Sequence, residues 1–147
     1  MHINILTLFP EWVQKLATEG VVQRAQTRGI FTLNVVNPRG FAQRKDGRID
    51  GRSFGGGPGM VMEAEPLFLA LQALHHAETS PTPHATQRAV IFLTPDGEKF
   101  SQNWAEYLRN FDQISFVCGR YEGFDARLLT ALEHDPAQLC VFSEPNC

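Results

Sequence analysis

Four short apolar runs, Ile3 to Phe9, Ile30 to Val36, Ala89 to Leu93 and Ile114 to Cys118, constrain this 147-residue chain more than any other feature. They are nearly continuous rather than alternating, so each strand is buried on both faces. Such strands belong to parallel sheets covered by helices on either side. The intervening segments carry those helices. Trp12, Val13 and Leu16 recur at helical spacing behind Pro10, a residue that a first helical turn tolerates. Val21 to Arg28 reads as a second helical stretch ending at Gly29, and Glu65 and Pro66 open a third with Leu67, Leu69, Ala70, Leu74 and Ala77 along its apolar side. Ser101 caps a helix through Trp104, Leu108 and Phe111, and Asp125 caps one through Arg127, Leu128, Leu129 and Leu132. Leu139 to Phe142 is expected as a further short strand. The fold class is therefore α/β, with a mainly parallel sheet flanked by helices.

Length supports one core, so the Pro, Ser and Thr-rich stretch from Thr79 to Thr86 is read as a connection and not as a domain boundary. A net charge of -3 argues against a generally basic nucleic-acid module, while leaving room for a local basic patch. Cys118, Cys140 and Cys147 are odd in number and lack a CxxC spacing, which speaks for neither a disulfide framework nor a zinc site. No metal is expected: His75 and His76 are adjacent and point to different faces of their helix. The N-terminal apolar run is too short for a signal peptide or a membrane span, and a cytoplasmic location without membrane contact is the expectation.

Two regions suggest a ligand site. From Asn37 to about Gly59 the chain shows neither helical nor strand period, yet it holds Arg39, Arg44, Lys45, Arg48 and Arg52. A long irregular segment in a compact domain is either functional or a solvated mobile loop. Its end, Phe54-Gly55-Gly56-Gly57-Pro58-Gly59-Met60, is either a hinge or a loop that lets a ligand approach the main chain. The other region lies beyond buried strands: Thr94 to Gly97 has the composition of a turn, and Gly119-Arg120-Tyr121-Glu122-Gly123 joins a strand to the helix capped by Asp125. In parallel α/β sheets the carboxyl edge, where both turns fall, is where ligands bind.

Taken in order, Leu8-Phe9-Pro10-Glu11, Asn37-Pro38-Arg39-x-Phe41, Asp50-x-Arg52-x-Phe54-Gly55-Gly56-Gly57-Pro58-Gly59-Met60, Glu65-Pro66, Leu93-Thr94-Pro95-x-Gly97 and Cys118-Gly119-Arg120-Tyr121-Glu122-Gly123-x-Asp125-x-Arg127 resemble the bacterial tRNA (guanine-N1)-methyltransferases, members of the trefoil-knotted SPOUT class. The resemblance runs from Ile3 to about Leu132. It implies a SPOUT-like fold and transfer of a methyl group from S-adenosyl-L-methionine to the guanine 3′ to the anticodon of tRNA, by a homodimer with a shared active site. It assigns Leu93, Thr94, Pro95, Gly97, Gly119, Tyr121, Glu122 and Gly123 to the cofactor, with Glu122 also facing the target base. Arg39, Arg48, Asp50, Arg52, Gly57, Pro58 and Gly59 are assigned to RNA and the partner subunit. The family's general base, an aspartate, follows the knot domain.

The resemblance also sets expectations for the chain's end. Residues 1–134 correspond to the S-adenosylmethionine-binding domain, and 135–147 read as a divergent tail in place of the family's glycine-rich segment and tRNA-gripping C-terminal domain. An incomplete knot and little turnover by this chain alone are expected. The paired aspartates of the family stand here as Asp50 and Gly51, its histidine in the basic loop as Asp46, and the acidic residue after Asp125 as Ala126. The alternative is a catalytically incomplete SPOUT-like module that only dimerises or binds RNA.

Overall fold

A computed structural model describes residues 1–53, 59–77, 87–132 and 138–143. Five strands, β1 (His2–Leu6), β2 (Thr32–Val36), β5 (Arg88–Lys99), β6 (Gln113–Cys118) and β7 (Gln138–Ser143), form one sheet in the order β2-β1-β6-β5-β7. Every neighbouring pair in it is parallel. The four apolar runs thus become its strands as expected, and the fifth strand includes Leu139 to Phe142. Parallel pairing requires crossovers, and the helices α1 (Pro10–Ala17), α2 (Gly20–Thr27), α3 (Ala64–Ala77), α4 (Gln102–Leu108) and α5 (Ala126–Leu132) supply them.

The two faces of the sheet are covered unequally. On one face Leu6, Val90, Phe92 and Val117 pack beneath Leu67, Leu71 and Leu74 of α3 and Leu128 and Leu132 of α5. Within this face Asn4 and Ser115, opposite each other in register, are joined by an Asn4 Nδ2 to Ser115 Oγ hydrogen bond of 3.2 Å. The other face packs Ala89, Ile91 and Ile114 against Leu108 and Phe111. There Ile3, Ile5, Leu33, Val35 and Phe116, on adjacent strands, are only partly buried. Right-handed crossover places α1 and α2 on that same side, but of their residues Ala17 alone is buried.

The expectation of an unstructured stretch from Asn37 to Gly59 is overturned. A 3-10 turn spans Pro38–Phe41, and β3 (Asp50–Arg52) pairs antiparallel with β4 (Met60–Met62), which lies just past the glycines. These elements are too short for any periodicity to register in sequence. Ile49 is 1% exposed and belongs to the core beneath α3. The Glu63 N–H donates to the Ile49 carbonyl at 2.7 Å, and Arg44 Nη2 meets Glu63 Oε1 at 2.7 Å. The basic segment is thereby anchored at its far end. Phe54 to Pro58 lie outside the described residues.

The turn expected at Thr94 to Gly97 is also corrected. β5 runs on to Lys99, and Leu93 and Glu98 both pair with Phe142, so the four residues between them bulge out of the ladder. Truncating the anchor, Ile49→Ala, is expected to lower unfolding free energy by about 2 to 5 kcal/mol in denaturant titration; a change below about 0.5 kcal/mol, as at an ordinary surface position, would contradict the anchored arrangement.

Candidate functional site

Parallel pairing of β5 with β6 brings the carboxyl ends of the two strands together, with Leu93 opposite Cys118. The bulge Thr94–Gly97 and the loop Gly119–Gly123 therefore leave the sheet side by side. Gly119 sits so close to β5 that a Cβ there would lie 3.0 Å from the Leu93 carbonyl oxygen and 3.0 Å from Cζ of Phe124. Phe124 in turn meets Phe92 edge-on at 5.1 Å between centroids, which ties the loop to the core. Tyr121 adopts φ 63, a conformation unfavourable for a residue with a side chain. Tyr121 is 42% exposed.

The second wall comes from β4. The Glu122 N–H donates to the Met60 carbonyl, the Met62 N–H to the Gly123 carbonyl and the Asp125 N–H to the Met62 carbonyl, each at 2.9 Å. Met62 and Phe124 form a parallel bridge. This short strand is thus shared: one edge pairs with Asp50–Arg52 and the other with the 122–125 backbone. Gly59, at φ 97, lies directly against the Glu122 side chain, and a Cβ there would overlap Glu122 Cγ.

Helix α5 starts where Asp125 turns the chain. Its Oδ1 accepts from the Arg127 N–H at 3.0 Å and from Arg127 Nε at 3.0 Å. The hydrogen bonds from the Arg127 guanidinium hold the Asp125 carboxyl below its ordinary value, against a smaller opposing push from burial. Asp125 is therefore a helix cap, as its sequence position suggested, and in addition the ion-pair partner of Arg127.

The expected site residues fall into two adjoining groups. Leu93, Thr94, Pro95 and Gly97 line one side of the carboxyl edge, with Gly119, Tyr121, Glu122 and Gly123 on the other. Asp50 and Arg52 stand on β3 opposite Met62 and Met60, and Gly59 touches Glu122, so these RNA-assigned positions reach the second group through β4. Arg39 lies in the 3-10 turn, and Arg48 pairs with Asp46, its N–H donating to Oδ1 at 3.2 Å. Gly57 and Pro58 lie outside the described residues. Sequence reasoning missed β4 as the connecting strand, and also Phe9. The Arg120 guanidinium carbon lies 4.8 Å from the Phe9 ring centroid and 6.0 Å from that of Tyr121. The Leu8-Phe9-Pro10-Glu11 motif was the available signal.

A small polar ligand with a flat ring suits this edge: backbone carbonyls and amides lie in the bulge and loop, and a Cβ at Gly123 would meet nothing within 4 Å. Among the described residues no group of three or more His, Cys, Asp or Glu side chains converges as a metal site would. No helix among them is long and apolar enough to cross a membrane.

Residues 1–140 match the family model described as tRNA (guanine-1)-methyltransferase TrmD. The chain is 46% identical over 129 residues to a protein named tRNA (guanine-N(1)-)-methyltransferase from Xanthomonas axonopodis pv. citri (strain 306), covering 88% of this chain and 49% of that relative. A protein of the same name from Moorella thermoacetica is 41% identical over 132 residues, covering 90% of this chain and 51% of the relative. A third, from Halorhodospira halophila, is 42% identical over 130 residues. The chain spans about half the length of these curated relatives.

Proposed function

The chain belongs to the tRNA (guanine-1)-methyltransferase family, and on that premise we propose that it binds S-adenosyl-L-methionine at the carboxyl edge of its sheet and serves methylation of guanine N1, 3′ to the anticodon, in tRNA. The observation that carries this reading is the close packing of the Gly119 loop against the Leu93 carbonyl, beside the bulge at Thr94–Gly97. That arrangement brings the carboxyl ends of two parallel strands and the segments that follow them together, the edge at which α/β sheets bind nucleoside ligands. When bound, S-adenosylmethionine supplies an electrophilic methyl group on a sulfonium.

The chain's own residues divide the remaining work. Gly123 leaves room for close approach and Gly119 lets the loop pack against Leu93 and Phe124, while Pro95 and Tyr121 offer flat surface to an adenine ring. Glu122, held by its N–H on Met60, accepts hydrogen bonds from the guanine edge and so orients the base. Arg39, Arg48 and Arg52 offset RNA phosphates around it. A target base enters such a site only when splayed out of its stack. The proton on guanine N1 must leave as the methyl arrives; the family resemblance locates the base for that step beyond the knot domain. Such a role fits the cytoplasm.

We also assign the partner as a second copy of the chain. Trp12 is 72% exposed, Leu16 75% and Val21 71%, on helices that right-handed crossover places on the partly buried side of the sheet. A groove of about 630 Å³ beside α1 is lined by Glu11, Trp12, Lys15, Leu16 and Glu19. Acids and a lysine around exposed apolar side chains make a surface that can complement itself across a two-fold axis.

Titration calorimetry is expected to show saturable binding of S-adenosylmethionine to the chain, weakened at least about tenfold (one decade is about 1.4 kcal/mol) by Gly119→Val, whose side chain would strike Leu93 and Phe124. No detectable binding to the unmodified chain would refute the assignment. Sedimentation equilibrium is expected to give a dimer for the unmodified chain and a monomer for Leu16→Glu. A monomer in both at tens of micromolar would exclude this interface.

A further inference from the structure

The family resemblance assigns Gly59 to RNA and Glu122 to the methyl donor and the target base. Their geometry joins them. The Glu122 backbone is fixed to β4 through the Met60 carbonyl at 2.9 Å, so its side chain departs from a defined point. From there it lies across Gly59: a Cβ built on Gly59 would overlap Glu122 Cγ and lie 3.2 Å from Cδ and 3.3 Å from Oε1. The first methylenes of the glutamate therefore occupy the volume that any other residue at position 59 would fill.

We propose that Gly59 is a positioning residue for Glu122, its missing side chain forming the seat that directs the carboxylate along β4 toward the base-binding side. The proposal deepens the methyltransferase reading, on which the base-facing role of Glu122 rests. Two requirements meet at this glycine, and they are separable. One is conformational, because φ 97 is unfavourable for residues with a Cβ. The other is steric and depends on the Glu122 side chain. Gly29 presents the conformational requirement alone, with φ 68 and nothing within 4 Å of a built Cβ.

The consequence is a coupling between the end of the glycine-rich segment and the carboxylate, carried by contact and not by charge. A residue larger than glycine at 59 must either push Glu122 off its rotamer or open the hydrogen bond to Met60, and the rotamer change is the cheaper of the two. The carboxylate then leaves the base-binding side while β4 and the loop remain joined. Glu122 in that state acts on substrate as though truncated.

The test is a double-mutant cycle with two readouts on the 147-residue chain. In thermal melting, Gly59→Ala is expected to lose more than Gly29→Ala, by roughly 3 °C or more, and Glu122→Ala is expected to abolish that excess. The second readout is the ratio of affinities for an RNA anticodon stem-loop carrying guanine or adenine at the target position. Gly59→Ala is expected to cut the guanine preference about as much as Glu122→Ala does, about tenfold for one oriented contact (about 1.4 kcal/mol), with no further loss in the double variant. The proposal is overturned if the melting loss of Gly59→Ala is the same with and without Glu122→Ala, or if Gly59→Ala leaves an existing guanine preference intact. Should the unmodified chain show no guanine preference, the base-facing reading of Glu122 falls, and the melting cycle alone decides whether the seat exists.

Discussion

Three backbone hydrogen bonds between β4 and residues 122 to 125 hold the site together. They run from Glu122 to Met60, from Met62 to Gly123 and from Asp125 to Met62, all at 2.9 Å. Without them, the loop after β6 would be a turn fixed only at its ends, and Asp50–Arg52 would have no route to it. With them, a three-residue strand pairs on both edges, and the main-chain groups of a charged loop are satisfied inside the fold. Met62, fully buried, secures the strand from below, next to the α3 and α5 core.

The sheet supplies the other constraint. Because β5 and β6 are parallel neighbours, Leu93 and Cys118 lie opposite each other, and the four-residue bulge in β5 starts beside the Leu93 carbonyl against which Gly119 packs. Catalytic or binding residues placed there rest on a buried scaffold through Phe124 and Phe92. The opposite character of α1 and α2, where Trp12, Leu16, Val21 and Val22 stay exposed, accompanies the same layering: the sheet's second face is covered by α4 over β5 and β6 and only partly elsewhere.

Much of this was legible in the sequence, for identifiable reasons. Continuous apolar runs such as Ala89 to Leu93 fixed the strands because a parallel interior strand has no polar face to alternate. Ser101 and Asp125 marked helix starts because capping is a local interaction, seen in Ser101 Oγ accepting from the Trp104 N–H and Asp125 Oδ1 from the Arg127 N–H. The loop motifs were legible only through their combined order. What escaped was set by tertiary contact. Ile49, a single apolar residue amid charges, gave no periodic signal although it anchors the basic segment. The Thr94-Pro95-Asp96-Gly97 stretch has turn chemistry but sits inside a strand whose partner continues past it. Helical spacing identified α1, yet spacing cannot tell whether Trp12 and Leu16 meet this chain's core or another chain. Gly59 read as part of a hinge or of a loop that a ligand approaches, whereas its neighbour across space is a side chain 63 positions away.

The proposed methyltransferase role depends first on joint binding of a methyl-donor nucleoside by the β5 bulge and the β6 loop. Backbone amide NMR of the uniformly nitrogen-15-labelled chain, titrated with S-adenosylmethionine, tests it residue by residue. Saturable shifts are expected to concentrate at Leu93 to Gly97, excluding the proline, and at Gly119 to Gly123, extending to Met60 and Met62 through their hydrogen bonds. Shifts confined to the α1 and α2 face, or no shifts at saturating ligand, would contradict it.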